Sequence, residues 1–265
     1  MTVTTTVIII SCIAVGIVGL ICGLGLGVAS EKFKVEVDEK EVAVREALPG
    51  NNCGACGFPG CDGCAHAIAI GECPVNQCPV GGKSCAEKIA AIMGVVADEA
   101  EKNVALVRCS GTCDKAKTRY NNVGPKDCIQ MSVIPGAGDK ACTFGCLGGG
   151  SCVAVCDFDA IHVVDGIAVV DKEKCVVCGK CVKACPKKLI EIVPYKSKYH
   201  VRCASQDKGK AVMDTCTAGC IGCTLCTKEC HFDAIHMNGN VAQIDYTKCK
   251  NCSLCAKKCP KSVIN

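Results

Sequence analysis

Apolar and polar positions divide the chain into unequal stretches. From Val3 to Ala29 no residue is charged, and Val7 to Val28 is dominated by Ile, Val, Leu, Gly and Ala. That run is long enough for one helix to cross a bilayer. A cleaved signal peptide would need a basic leading region and a shorter apolar core, and neither is present. Gly19, Gly23 and Gly27 recur every fourth residue, a spacing that lets another membrane helix approach that face closely. Residues 31–47 mix charge with Val, predicting a short alternating stretch from Lys34 to Asp38 and then a helix towards Leu48, which Pro49 and Gly50 end. After Gly81 and Gly82, Ser84 with Glu87 three residues on predicts a capped helix whose apolar stripe is Ile89, Ile92, Met93 and Val96. Beyond it the apolar signal is brief. His162 and His236 each follow an Ala-Ile step and are read as structural residues of short strands.

Composition explains the thin apolar pattern. The 265 residues include no Trp, four Tyr and five Phe, but thirty Cys. A core built on aromatic burial is excluded. Ligation that ties distant points of the chain together can replace the missing burial. Thirty cysteines could also form disulfides, and their spacing decides against that.

Cys220, Cys223, Cys226 and Cys230, then Cys249, Cys252, Cys255, Cys259 and Pro260, are two copies of the run C-x2-C-x2-C-x3-C. Eight thiolates so spaced hold two 4Fe-4S clusters, the fourth cysteine of each run serving the other cluster. Cys220, Cys223, Cys226 and Cys259 are therefore expected at one cluster, and Cys249, Cys252, Cys255 and Cys230 at its neighbour. Structural zinc uses separated pairs, and thiolate ligation requires a reducing compartment, so the cytosolic side is expected. A second kind of site is Cys53, Cys56, Cys61 and Cys78, spaced C-x2-C-x4-C-x16-C among Gly54, Gly57 and Gly60. Cys64, Cys73 and Cys85 compete for places there, and Cys78-Pro79 is the preferred fourth ligand.

Residues 109–265 repeat. Cys142 to Ile190 overlays Cys216 to Ile264 at a constant offset of 74, and Val107-Arg108-Cys109 matches Val201-Arg202-Cys203 at 94, so the first copy carries about 20 extra residues, with Cys113 and Cys128 among them. The overlay fails at Gly149, which stands opposite Cys223. One grouping gives Cys142, Cys146, Cys152 and Cys185 to one cluster and Cys156, Cys175, Cys178 and Cys181 to the next. Cys109, Cys113 and Cys128 then seek a fourth partner, Cys203 or Cys216, for a sixth cluster. The other grouping joins Cys142 to Cys109, Cys113 and Cys128. The first is preferred for Cys142; the count is five clusters, with a sixth left open. The residues contain no carboxylate pair, no nucleophile with its base and no phosphate loop. Gly148, Gly149 and Gly150 are read as a bend between ligands.

Charge is asymmetric. Residues 1–171 carry 13 Lys and Arg against 19 Asp and Glu, whereas residues 172–265 carry 17 against 7. Nucleic acid is not the expected partner, because anionic clusters account for nearby cations and the remaining lysines can steer an acidic protein.

The order of parts resembles the B subunit of the Rnf complex: an apolar anchor, the module from Cys53-Gly-Ala-Cys56-Gly-Phe-Pro-Gly-Cys61 to Cys78-Pro-Val-Gly-Gly, and downstream ferredoxin units. Two such units and the Cys109 insertion resemble the long form found in anaerobic, ferredoxin-using bacteria. The expected class is α+β, with an anchor over 1–30, a spacer over 31–48, a 4Fe-4S module over 49–105, and tandem bacterial-ferredoxin-like units over 106–198 and 199–265. The resemblance implies an electron-transfer subunit of an ion-translocating ferredoxin:NAD+ oxidoreductase, single-pass in the bacterial cell membrane with its clusters on the cytoplasmic side. Soluble ferredoxin is the implied donor. Flavin and NAD chemistry would lie on a soluble partner subunit, and Na+ or H+ translocation on multi-helix membrane subunits. The competing expectation is a polyferredoxin of a membrane hydrogenase or formate dehydrogenase system.

Overall fold

The computed structural model describes residues 2–32, 38–96 and 101–265, so most of the alternating stretch expected from Lys34 lies outside the described residues. Helix α1 (Thr2–Lys32) carries the uncharged run. It is long and apolar enough to cross a membrane, with mean hydropathy 1.5 over Val15–Lys32.

The next module is helical. Asp38 caps α2 (Glu39–Ala47) by accepting from the Lys40 amide. Its Val44 and Leu48 pack with Ile68 of α3 (Cys61–Ala69) and Ile89 of α4 (Gly82–Met93). This core is cysteine-rich, with Cys61, Cys64 and Cys85 inside it. Helix α4 starts two residues before Ser84, at Gly82, and no side chain caps it. The expected capping box is therefore absent. The reason is a close approach: a Cβ on Gly81 would lie 2.5 Å from Cys85 Cβ, so the bare backbone of Gly81 opens the helix. At the other end Gly94 takes the left-handed conformation and closes α4. Val96, expected in the apolar stripe, falls beyond this stop and is exposed, whereas Ile89 is fully buried and Ile92 and Met93 pack beside it.

The two downstream units share one plan. In the first, β1 (Asn103–Val107) pairs antiparallel with a strand 83 residues later, while α5 (Cys128–Val133), α6 (Ser151–Ala154), the hairpin β2 (Ile161–Val164) and β3 (Ile167–Val170), and α7 (Lys180–Ala184) lie between. That closing strand is β4 (Ile190–Pro194), with Val107 opposite Ile190. The hairpin turns at Asp165 and Gly166, both with positive φ, as a two-residue turn of this hand requires. The second unit has α8 (Gly209–Thr215), α9 (Leu225–Lys228), the hairpin β5 (Ile235–Asn238) and β6 (Val241–Ile244), and α10 (Leu254–Lys258). Here the terminal sheet shrinks to a single bridge, Val201 opposite Ile264. Those residues are the repeat equivalents of Val107 and Ile190, so the register is retained where the strands are lost. The two units are joined by a further bridge, Ala116 to Cys216, and by Lys117 and Thr217 amides donating to Thr215 and Lys115 carbonyls.

Each unit has a small core in which short aliphatic residues alternate with thiols. Val107, Ile161, Ile167 and Ile190 pack with Cys109, Cys146 and Cys152; Val201, Ile235, Val241 and Ile264 pack with Cys203, Cys226 and Cys255. The architecture is α+β, and in these two units α5, α6, α7, α9 and α10 are short and each carries a cysteine.

Candidate iron–sulfur centres

The described cysteines are all free thiols, and most of them line one of five cavities. Cys220, Cys223, Cys226 and Cys259 line one. Cys230, Cys249, Cys252 and Cys255 line its neighbour. In the first unit Cys156, Cys175, Cys178 and Cys181 line the counterpart of the latter. Each of these groups takes one cysteine from the far run, as the alternating pattern expects. The fourth cysteine of every run is held alike: Cys156, Cys185, Cys230 and Cys259 each accept, at 3.4 Å, the amide of the residue four further on. In the N-terminal module Cys53, Cys56, Cys61 and Cys78 surround a cavity with Cys64 in the same wall. Cys85 is turned to the Ala47 carbonyl.

Two groups differ from the expected pairing. Cys142 lines a cavity with Cys109, Cys203 and Cys216, two thiols from each repeat and each pair at equivalent positions. The expected company of Cys142, namely Cys146, Cys152 and Cys185, is approached instead by Cys128. Burial pushes the Cys152 thiol up to about 12, and the neighbouring thiols of Cys146, Cys128 and Cys185 add to the effect. The cause is visible at Gly149, where the second repeat has Cys223. A Cβ on Gly149 would meet the Cys128 nitrogen at 2.7 Å and the Asp127 carbonyl carbon at 2.9 Å. The backbone of the insertion thus fills the space of the missing side chain and delivers its own cysteine. Asp127 fixes the delivery by capping α5, accepting from the Ile129 and Gln130 amides, while Ser151 Oγ donates to Asp127 and accepts from the Cys128 amide. Cys113, expected beside Cys109 and Cys128, is exposed, and its amide bonds to Asp165 at the β2–β3 turn.

The donor set suits a cluster better than an ion. Four thiolates on one zinc, at ~2.3 Å each, stand ~3.8 Å from one another. Among the described residues no three His, Cys, Asp or Glu side chains converge to hold a single metal; the thiols ring a cavity, as a cubane requires. Burial raises Cys181, Cys226 and Cys255 to about 11, with neighbouring thiols adding to the effect. Without metal these groups are neutral, and loading iron displaces their protons.

Short hairpins, ligand-bearing turns and rings of four thiols define an iron–sulfur electron carrier built on tandem ferredoxin units. The family model for a 4Fe-4S binding domain matches residues 168–191 and 242–265, and an Fe-S cluster model matches 48–80. The chain is 48% identical over 251 residues, 94% of its length and 75% of the relative's, to the B subunit of the Na+-translocating ferredoxin:NAD+ oxidoreductase complex of Acetobacterium woodii. It is 41% identical to the B subunit of the ion-translocating oxidoreductase complex of Methanosarcina acetivorans, covering 93% of each chain. It is also 41% identical to the proton-translocating counterpart of Clostridium ljungdahlii, covering 91% of this chain and 86% of that one. The chain belongs to the B-subunit family of Rnf-type ion-translocating ferredoxin:NAD+ oxidoreductase complexes.

Proposed function

We propose that the chain takes electrons from reduced ferredoxin and relays them within a membrane complex that reduces NAD+ and translocates Na+ or H+. Bound 4Fe-4S clusters supply one-electron carriage, and the chain supplies the cages and their spacing. Six cages are assigned: Cys53, Cys56, Cys61 and Cys78; Cys109, Cys142, Cys203 and Cys216; Cys128, Cys146, Cys152 and Cys185; Cys156, Cys175, Cys178 and Cys181; Cys220, Cys223, Cys226 and Cys259; and Cys230, Cys249, Cys252 and Cys255. The observation that carries this reading is the contact made by the second group with both units. Cys109 Sγ accepts from the Cys146 amide at 3.4 Å, and Cys203 Sγ accepts from the Cys220 amide at 3.3 Å. A thiol of the junction therefore touches Cys146 of one ferredoxin unit and its repeat equivalent Cys220 of the other, giving a continuous connection between them.

Entry of electrons is assigned to the C-terminal unit. Cys223 and Cys252 are exposed there, in a unit whose Lys228, Lys250, Lys257 and Lys258 are also exposed. A cationic surface around accessible ligands steers an acidic carrier. Helix α1 anchors the array with the cages on the cytoplasmic side, and flavin, NAD+ and ion sites belong to partner subunits. The test is anaerobic purification with the membrane partners, followed by ferredoxin-dependent NAD+ reduction at graded ionic strength. The reading expects flavin in the complex and a rate that falls with salt. A complex without flavin that leaves NAD+ unreduced refutes it in favour of a hydrogenase or formate dehydrogenase partner.

A further inference from the structure

The junction cavity differs in charge from the four other cavities described above. Arg108, Lys140 and Arg202 line it and no carboxylate does. The cavity of Cys220 has one lysine, Lys261; that of Cys230 has Lys250 and Glu229; those of Cys53 and Cys156 have no charged residue in the wall. Lys140 is only 7% exposed, and its Nζ donates to the Gly111 and Gly166 carbonyls at 2.8 and 2.7 Å. It has no carboxylate partner among the described residues. Arg202 likewise lacks one, and its buried Nε has no hydrogen-bond partner. Arg108 donates to the Cys203 carbonyl and is paired at 3.6 Å with Glu191, which offsets part of its charge. Arg108 and Arg202 are repeat equivalents, whereas Lys140 comes from the extra segment of the first copy.

We propose that Arg202 and Lys140 make the junction centre the highest-potential centre of this chain, so that the first electron delivered through the C-terminal unit comes to rest there. The proposal rests on the reading that Cys109, Cys142, Cys203 and Cys216 hold a 4Fe-4S cluster. Reduction adds negative charge to a group already anionic through its four thiolates, and cations without counter-charges in its wall, Lys140 buried and Arg202 half-buried, stabilise the reduced form selectively. Net charge around the cluster is one of the factors that set its potential. Lys140 is bonded to Gly166 of the β2–β3 turn, and Ala168 two residues on donates its amide to Cys146 Sγ at 3.4 Å, so Lys140 acts on two centres and Arg202 distinguishes the junction.

The experiment is an EPR-monitored redox titration of the full chain in detergent, with iron counted for every variant. Cys216→Ala should lose about four iron atoms together with the signal reduced first in the parent protein. Unchanged iron overturns the reading of the site. Lost iron with the first-reduced signal intact overturns the proposal while leaving that reading in place. Arg202→Gln and Lys140→Gln keep hydrogen-bonding capacity and remove charge. Each should retain full iron and make the first reduction at least tenfold less favourable, about 59 mV for one electron, while Lys140→Arg restores it. A first-reduced signal that moves in neither variant overturns the proposal. Should one variant fail to accumulate iron, the other decides the result.

Discussion

Gly149→Ala is the smallest change that tests how the first repeat replaces its missing cysteine. The φ of Gly149 is not in the left-handed region, so the backbone itself tolerates alanine and the cost is steric. The new methyl would stand 2.7 Å from the Cys128 nitrogen, 2.9 Å from the Asp127 carbonyl carbon and 3.0 Å from Met131 Sδ. Only the thioether can move aside. The other two atoms belong to the capped start of α5, held by Asp127 and Ser151. Overpacking of this kind costs about 1–3 kcal/mol, and relief requires α5 to retreat with Cys128. The expected outcome is a loss of about four iron atoms, with the first hairpin unit less resistant to guanidinium and the second unit unchanged. Iron analysis and hydrogen exchange under anaerobic conditions read both effects. A Gly149→Ala protein with full iron and parental exchange over β2 and β3 would show that the insertion does not occupy the place of the absent side chain. The companion Cys128→Ala creates space instead of a clash and should lose the same iron with less disturbance of β2 and β3.

Other outcomes follow from separate parts of the molecule. His200 is buried, with Nδ1 3.0 Å from the Tyr246 hydroxyl, and burial and nearby cations lower it to about 4. The unfolded chain binds a proton near pH 6.5 that the folded chain refuses until about 4. Stability is therefore complete above ~6.5 and falls by about 3 kcal/mol as the pH drops through that window; His200→Gln should flatten this slope, measured by denaturant midpoints at each pH. The Asp127 carboxyl is held below its ordinary value by the Gln130 amide and the Ser151 hydroxyl, so its support of α5 is present above about pH 3.9 and is lost on further acidification, an effect absent in Asp127→Asn. Removing residues 1–32 should release the protein from membranes with its iron content unchanged, as a flotation assay would show. Chelating the iron should unfold residues 103–265 in one cooperative step by circular dichroism, because thiols make up so much of both small cores.

The residues announced much of this arrangement. The offsets of 74 and 94 located the repeat, and they reappear in the structure as equivalent strand pairs, Val107 with Ile190 and Val201 with Ile264. The spacing of the intact runs also brought the expected four cysteines to each of three cavities. Spacing failed where a cysteine arrives from outside its run. Cys128 is 18 residues before Cys146 and separated from it by turns, so its meeting with Cys152 depends on α5 lying against Gly149. Gly149 itself was the available signal, since a glycine opposite a cysteine leaves both a gap and a passage for backbone. The junction group was harder to read, because Cys109, Cys142, Cys203 and Cys216 belong to two copies and meet only through the packing of the units. Their equivalence under the two offsets was the clue. Likewise the Ser84 and Glu87 pair satisfied a local capping pattern, but the approach of Cys85 to Gly81 began the helix earlier.

The most direct test of the six-cage array is the iron and acid-labile sulfide content of the intact chain, reconstituted anaerobically and compared with Cys109→Ala. Six cages predict about 24 of each per chain and about 20 in the variant. A parent protein that saturates at about 20, with no change on losing Cys109, would contradict the junction site and with it the continuous connection between the two ferredoxin units.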